Sequence, residues 1–466
     1  MIKLTHGFFR VIAVLSVLTA VLTAGRADAK DLPDLPQECK TGILVGEEGE
    51  GGAKKDLLIK DNQVCHVSKG THGYRNVHIW NGGKLVFSDE GEHIHFWATS
   101  ILVEKDGSLL AGTSAVPIGT NKGTLTIHLY GAPQNRVGKG VRCQTGDMCG
   151  VPADIWKSNL NDHGHPGDPA LARKVANPAF AASAKDYRGP TDDYFYAYHP
   201  LFHDEGDDKA YFGYKVLGVS HGGTLELYGK KGACTKDCAL PSTTGESWVR
   251  LNTTVSPNDG GATTTLVVDS PVDWKENDWI VVTTTDYLPG HSELLQIAAD
   301  TNNGTTVTVK QKVTYHHNGA RYPIPSDAVS RLGLSTEVAK GAETRAAVAL
   351  LSRSIKIVSA GSALDEDLPL ETSPDCANPH PETNAKCYFG GHAVFRQGFT
   401  SIKVQGVEFY QMGQGGRIGH YPVHFHHARK TNPDTFVVDS SIWDSMTRWI
   451  VLHGTHESRV EAGEHR

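Results

Sequence analysis

Methionine is scarce, with four residues in 466, and no block of lysine and arginine runs through the chain. The formal charge is −7. Without a basic stretch nothing is present to neutralise a run of phosphates, which argues against nucleic acid as a partner. An acidic balance gives no general attraction to an acidic polysaccharide either, so a ligand of that kind needs a local basic patch. Beyond the N-terminus, no apolar run reaches the roughly 20 residues of a membrane span. Charged residues are 21% and AVILMFWYC 39% of the chain, a balance that excludes a coiled coil, a multi-span membrane protein and a disordered polyampholyte. Several chemical signatures are also missing: Walker A, G-x-G-x-x-G opening a helix, H-E-x-x-H and C-x-x-C. Nucleotide chemistry is disfavoured accordingly.

What is abundant is glycine, 50 residues of 466, against a usual share of about 7%. That suits a turn-rich β protein. The N-terminus has the layout of a secretory signal: Lys3 and Arg10, an apolar run from Val11 to Leu22, then Ala27-Asp28-Ala29 as an A-x-A cleavage site. Residues 1–29 are read as a signal peptide, and the mature chain as secreted or periplasmic, or held at the cell surface, with no membrane span. Eight cysteines fall into four local pairs: Cys39 with Cys65, Cys143 with Cys149, Cys234 with Cys238, and Cys376 with Cys387. In an oxidising compartment these are expected to form short-range disulfides, each pinning a surface loop.

Strand signals dominate the rest. Val77–Trp80, Lys84–Phe87, Trp97–Val103, Leu109–Ala111, Thr124–Tyr130 and Thr224–Tyr228 are apolar runs, most alternating, separated by turns such as Asn81-Gly82-Gly83 and Asp106-Gly107. Residues 132–210 are rich in Pro, Asp, His and Tyr and read as a long inserted loop. Thr264–Val268, Trp279–Thr283 and Thr305–Val309 form a second β unit, and residues 316–340 hold room for a short helix. Further short strands follow to Ile450–His453 without amphipathic helices between them. Parallel strands with no crossover helices point to stacked coils of a β-helix.

Three motifs carry a family resemblance: Gly82-Gly83-Lys84-Leu85-Val86-Phe87, the run from Ile101 to Thr113, and Leu125 to Gly131 together resemble a G8 domain. Asp273 to Val282, and Gly419-His420-Tyr421-Pro422-Val423-His424-Phe425-His426, resemble segments that follow G8 in the same proteins, the vertebrate cell-surface hyaluronidases, the cell-migration-inducing hyaluronan-binding proteins and the fibrocystins. The resemblance covers about residues 45–455. It implies an all-β chain: a G8 β domain (45–250) with the inserted loop, a β-rich connecting unit (251–340), and a right-handed parallel β-helix (341–466). Relatives continue for more coils past His453, so the resemblance also implies a β-helix truncated at the C-terminus.

Three groups of residues are candidates for chemistry. If Val423 and Phe425 face the core, His424 and His426 face out together. His453 follows one coil length later. Three imidazoles on adjacent coils read either as a site for a divalent metal, zinc or calcium, or for proton transfer, or as a hydrogen-bonded ladder of surface histidines. Arg417, His420 and Tyr421 are substrate-binding candidates, Arg417 as holder of an acidic sugar, with Asp444 nearby. The second group is Asp286 and Glu293, flanking one turn, as the carboxylate pair that glycoside cleavage uses. Asp273 and Asp278 read as turn caps. The third is the loop 154–208, whose histidines, aspartates and tyrosines suit calcium or sugar, or plain solvation. Together these give an exported protein that binds a polysaccharide and cleaves its glycosidic bonds on the outer face of the β-helix, or a non-catalytic carbohydrate-binding surface protein.

Overall fold

The computed structural model describes residues 43–45, 56–74, 76–131, 215–220, 222–231, 246–257, 263–333, 335, 339–361, 389–414, 419–445 and 447–461. Residues 1–29, expected to be a signal peptide, residues 132–210, expected to be a loop with its candidate residues, and Arg417 lie outside them. So do seven of the eight cysteines: Cys39, Cys143, Cys149, Cys234, Cys238, Cys376 and Cys387. The expected pairings of Cys143 with Cys149, of Cys234 with Cys238 and of Cys376 with Cys387 therefore fall wholly outside the described residues. Cys65 alone is described, and it is buried and disulfide-bonded.

After β1 (Ile43–Val45), the chain winds through strands in triplets. β2 (Asp56–Ile59), β3 (Val64–Val67) and β4 (Gly70–Gly73) form the first coil, and β5 (Asn76–Ile79), β6 (Lys84–Phe87) and β7 (His93–Ala98) the second. β8 (Ser100–Val103), β9 (Ser108–Ala111) and β10 (Thr124–Leu129) form the third. The fourth is split: β11 (Val216–Val219) and β12 (Thr224–Tyr228) precede an inserted unit and β19 (Ile355–Ser359) follows it. β20 (His392–Arg396), β21 (Ser401–Gln405) and β22 (Val407–Tyr410) make the fifth, and β23 (Val423–Lys430), β24 (Phe436–Val438) and β25 (Ser441–Trp443) the sixth. β26 (Ile450–His456) and β27 (Arg459–Glu461) end the described part.

Corresponding strands of successive coils pair in parallel, giving three sheets. The first runs β1-β2-β5-β8-β11-β20-β23-β26, the second β27-β24-β21-β12-β9-β6-β3, and the third β25-β22-β19-β10-β7-β4. This is an all-β parallel β-helix. Its sheets run without a break through the boundaries read at 250/251 and 340/341: β8 pairs with β11 and β11 with β20. The G8-like strands are thus the opening coils of one solenoid, with the later coils stacked on them. The expected run Trp97–Val103 is two strands, because the chain turns a corner at Thr99 between β7 and β8.

Register explains the sequence pattern. On the first sheet Leu57, Val77, Ile101, Leu217, Ala393 and Val423 stack in one inward column, and Ile59, Ile79, Val103, Val219, Phe395 and Phe425 in another. All are buried in a single core, each contributing about 1.5–3 kcal/mol where the side chain is large. The recurring glycines sit at one corner. A Cβ on Gly83 would lie 2.3 Å from the Ile59 carbonyl oxygen, and one on Gly107 2.1 Å from that of Ile79. Each coil passes so closely over the last that only glycine fits.

The inserted unit has its own core. β13 (Trp248–Arg250), β14 (Thr264–Val272), β15 (Trp279–Val282), β16 (Glu293–Gln296), β17 (Gly304–Val309) and β18 (Ala347–Leu350) form an antiparallel sheet β13-β18-β15-β16 and a two-stranded antiparallel sheet β14-β17. They enclose Val249, Leu266, Trp274, Ile280, Val307 and Val348, a cluster separate from that of the solenoid. The short helix expected in 316–340 is α1 (Ser326–Leu332), closed by Gly333 at φ 58°. Buried Arg353 joins the unit to the sixth coil: its Nε donates to the Asp439 carbonyl (2.9 Å) and its Nη1 to the carbonyls of Leu350 and Ser352 (2.9 Å each).

Candidate functional site

The outward side of the first sheet carries the polar residues that inward packing leaves over. One outward column reads His78, Leu102, Gly218, Val394, His424. At its edge Arg396, His426 and His453 are in register on β20, β23 and β26. Adjacent strands lie about 4.8 Å apart, so each residue can touch the next. Further up the sheet, His78 Nε2 pairs with Glu104 Oε1 at 2.9 Å, both buried.

His424, His426 and His453 converge: one ring nitrogen from each lies within 4.8 Å of the others. His424 is buried, His426 half-buried and His453 exposed, so the pocket opens to solvent on the His453 side. His424 Nδ1 donates to the Gly419 carbonyl (2.8 Å), which fixes the tautomer and leaves Nε2 as an electron-pair donor. That Nε2 faces His426 Nδ1 at 3.3 Å. Two ligands of a tetrahedral zinc, with bonds of about 2.0–2.1 Å, lie about 3.3–3.4 Å apart, so the pair has the span a metal requires. Tyr421 packs its ring edge-on to His424 at 5.0 Å, and its hydroxyl accepts from Arg448 Nη1 at 3.2 Å.

Burial keeps the His424 and His426 rings neutral. Burial lowers the pKa of His424 to about 4, outweighing the upward pull of the Gly419 carbonyl, with smaller repulsions from His453 and Arg396 adding to the drop. Burial pushes His426 well below the ordinary value, reinforced by Arg396, His424, His427 and His453. Neutral imidazoles at pH 7 are the form that binds a metal.

Other expected site residues lie elsewhere. Asp286 and Glu293 belong to the inserted unit, not to the core that carries the histidines. Asp286 is exposed, and hydrogen bonds from Thr284, the Leu288 amide and His291 hold its pKa down to about 2. Glu293 is buried; burial raises its pKa, but His317 Nε2 (2.6 Å) and the amides of Thr314 (2.6 Å) and Tyr315 (3.0 Å) outweigh that and lower it. With both oxygens engaged, Glu293 braces a loop of the inserted unit. Asp278 caps its turn through the Lys275 amide (2.9 Å), as read. The His420 ring packs against that of His392 at 4.5 Å, tilted by 59°, and Asp444 accepts from Gln411 Nε2 at 2.9 Å.

Sequence reading missed Arg396, His392, Glu104 and His78. Arg396 and His392 sit on β20, whose five residues are all buried. With both faces covered the run His392-Ala393-Val394-Phe395-Arg396 shows no alternation of burial. The available signal was the glycine pair Gly390-Gly391 just before it.

Residues 46–148 match the family model of the G8 domain, and residues 388–463 that of the CEMIP beta-helix. The histidine pocket and Arg396 fall inside the second match. The chain is 31% identical over 222 residues to the cell migration-inducing and hyaluronan-binding protein of Mus musculus, covering 45% of this chain and 14% of the relative. It is 29% identical over 201 residues to a cell surface hyaluronidase of Homo sapiens, covering 41% and 12%. To fibrocystin-L of Mus musculus it is 26% identical over 269 residues, covering 54% and 6%. The chain spans between 6% and 14% of the length of these three relatives. No helix among the described residues is long and apolar enough to cross a membrane. The chain carries a G8 domain in its opening coils and a CEMIP-type β-helix in its later ones, and is similar to the hyaluronan-binding and fibrocystin-L proteins.

Proposed function

We propose that this is an exported protein that acts on a polysaccharide at the histidine pocket of the first sheet, cleaving glycosidic bonds with the help of a bound divalent metal. The observation that carries the reading is the convergence of His424, His426 and His453, three imidazoles on one open outward face. The names of two relatives, one hyaluronan-binding and one a hyaluronidase, support a polymer of the hyaluronan type. An all-imidazole donor set suits zinc, copper, nickel or cobalt; calcium takes oxygen ligands, so of the two ions first considered zinc is the one that fits. His424 Nε2, His426 and His453 would hold the ion, leaving a position open at the solvent side. Such an ion supplies Lewis acidity and a bound water of lowered pKa. Arg396, one strand from His426, adds fixed positive charge beside the pocket that favours an anionic group of the ligand. Tyr421 and Arg448 hold the His424 side of the pocket.

A second reading, a metal-dependent but non-catalytic glycan-binding face, draws support from one observation. Glu293 is fully occupied by His317 and backbone amides, and so does not offer itself as the acid or base of a cleavage. The test is metal analysis of the purified chain beside a His424→Ala/His426→Ala variant, followed by chain-length analysis of hyaluronan and of an uncharged glucan. Near-stoichiometric metal that disappears in the variant, with hyaluronan shortened only by the metal-loaded protein, is the expected result. Metal without shortening favours the binding face. Neither metal nor shortening removes the reading.

A further inference from the structure

We infer that His427, whose ring packs against those of His426 and His453, is a positioning residue of the pocket: it fixes the angle between those two imidazoles by its shape and is not itself a ligand. The inference rests on the metal reading above.

Regular alternation along β23 would turn His427 inward after outward His426. The pairing of β23 with β26 instead slips between His426 and Arg429, and both His427 (φ 49°) and Arg429 (φ 61°) adopt left-handed backbone. Non-glycine residues take that conformation at a cost, and such bulges re-aim side chains beside functional sites. Here the bulge lets Ala428, not His427, enter the solenoid core. His427 remains on the pocket side. Its ring lies 4.7 Å from that of His426 at 87°, and 4.3 Å from that of His453 at 53°. The His426 and His453 rings stand 5.3 Å apart at 62°. His427 is therefore the wedge in the angle they make.

Two further observations fit a wedge. The three ring nitrogens that come within 4.8 Å of one another belong to His424, His426 and His453, and His427 is not among them. Space for its ring is made by Gly454 at φ 57°, directly after His453: a Cβ there would lie 2.7 Å from His427 Nδ1. One glycine on β26 and one bulge on β23 thus seat a single imidazole between two others. Residues that orient metal ligands from outside the coordination set change affinity by about 10–100-fold when lost.

The test uses the full mature chain titrated with Co²⁺ and Zn²⁺, comparing wild type, His427→Ala, His427→Phe and Gly454→Ala. His427→Ala is expected to keep one ion per chain but bind it about 10–100-fold more weakly. Gly454→Ala, which drives a methyl into the ring, should weaken binding likewise. His427→Phe keeps an aromatic wedge and should bind within a few-fold of wild type, with the Co²⁺ absorption spectrum unchanged, because the ligand set is unchanged. Wild-type affinity in His427→Ala overturns the inference and leaves the metal site standing. A spectrum altered in His427→Phe also overturns it, since that marks His427 as a ligand. No ion bound by wild type overturns the metal reading and this inference together. Thermal melts identify any variant that fails to fold; His427→Phe leaves no cavity and carries the test where His427→Ala does not.

Discussion

A single hydrogen bond sets the chemistry of His424. By donating Nδ1–H to the Gly419 carbonyl, the ring directs Nε2 at the pocket, and burial brings its pKa to about 4. An unfolded histidine binds its proton near 6.5. Between those values the unfolded chain holds more protons than the folded one, so stability rises with pH through the window and is level above it. His426 acts with the same sign, its lower limit further down. Metal-free protein should therefore lose thermal stability as pH falls from about 6.5 towards 4. His424→Ala/His426→Ala should show a shallower loss over that range, as melts in matched buffers would reveal. Metal should likewise stay bound well below pH 6.5, read as the pH of half release. Glu293 behaves differently at the same scale. Glu293→Gln leaves buried His317 without its carboxylate and should cost about 2–4 kcal/mol by denaturant unfolding, with metal content unchanged. Loss of metal in that variant would mean that the inserted unit and the pocket are coupled in a way these contacts do not contain.

At the scale of the strand, β23 does two jobs at once, and the same alternation serves both. Val423 and Phe425 fill the core while His424 and His426 face the pocket. Phe425 packs edge-on to Phe395 at 5.0 Å and to Phe399 at 6.2 Å. Phe425→Ala should cost about 3–5 kcal/mol and, because the cavity lies between the two proposed ligands, should also weaken metal binding. Val404→Ala, in the same core but on the second sheet, should lower the melting temperature without changing metal affinity; equal effects on affinity would show that the pocket answers to global stability alone. This alternation is why the three histidines were legible in the sequence: Val-His-Phe-His declares its own faces, and His453 repeats them one coil later. β20 was not legible, since a strand buried on both sides offers no contrast, and Arg396 was lost with it. His427 was visible as a residue but not in its role, because a bulge and a left-handed φ leave no local mark. The setting of Glu293 was not legible either: its place beside one turn said nothing about which partners would occupy it, and those partners, His317 and the amides of Thr314 and Tyr315, lie 21 to 24 residues further along the chain.

The whole molecule is one solenoid interrupted, and the interruptions are what hid its period. Ile101 stacks on Leu217, and Leu217 on Ala393, across stretches many times the length of an uninterrupted coil. Read along the chain, this looks like separate domains; read through the sheets, it is continuous. The inserted unit enters and leaves at one place, where Lys231 and Arg353 form an antiparallel bridge. Bridged residues lie about 4.5–5.5 Å apart, close enough for a short linker to close. The pairings β10–β19 and β12–β21 do not involve the unit, and its core is its own. Replacing residues 232–350 with a few glycines and serines should therefore leave a folded β-helix, with metal stoichiometry intact and a melting temperature lowered by a few degrees as Arg353 loses its contacts to Ser247 and Leu350. The same variant lacks Asp286 and Glu293. If it binds metal and still shortens hyaluronan, the chemistry belongs wholly to the solenoid. If it binds metal and polymer but no longer shortens it, the inserted unit supplies a catalytic group to the pocket. A chain that no longer folds would show that the unit, despite its separate core, is needed to hold the fourth coil in register.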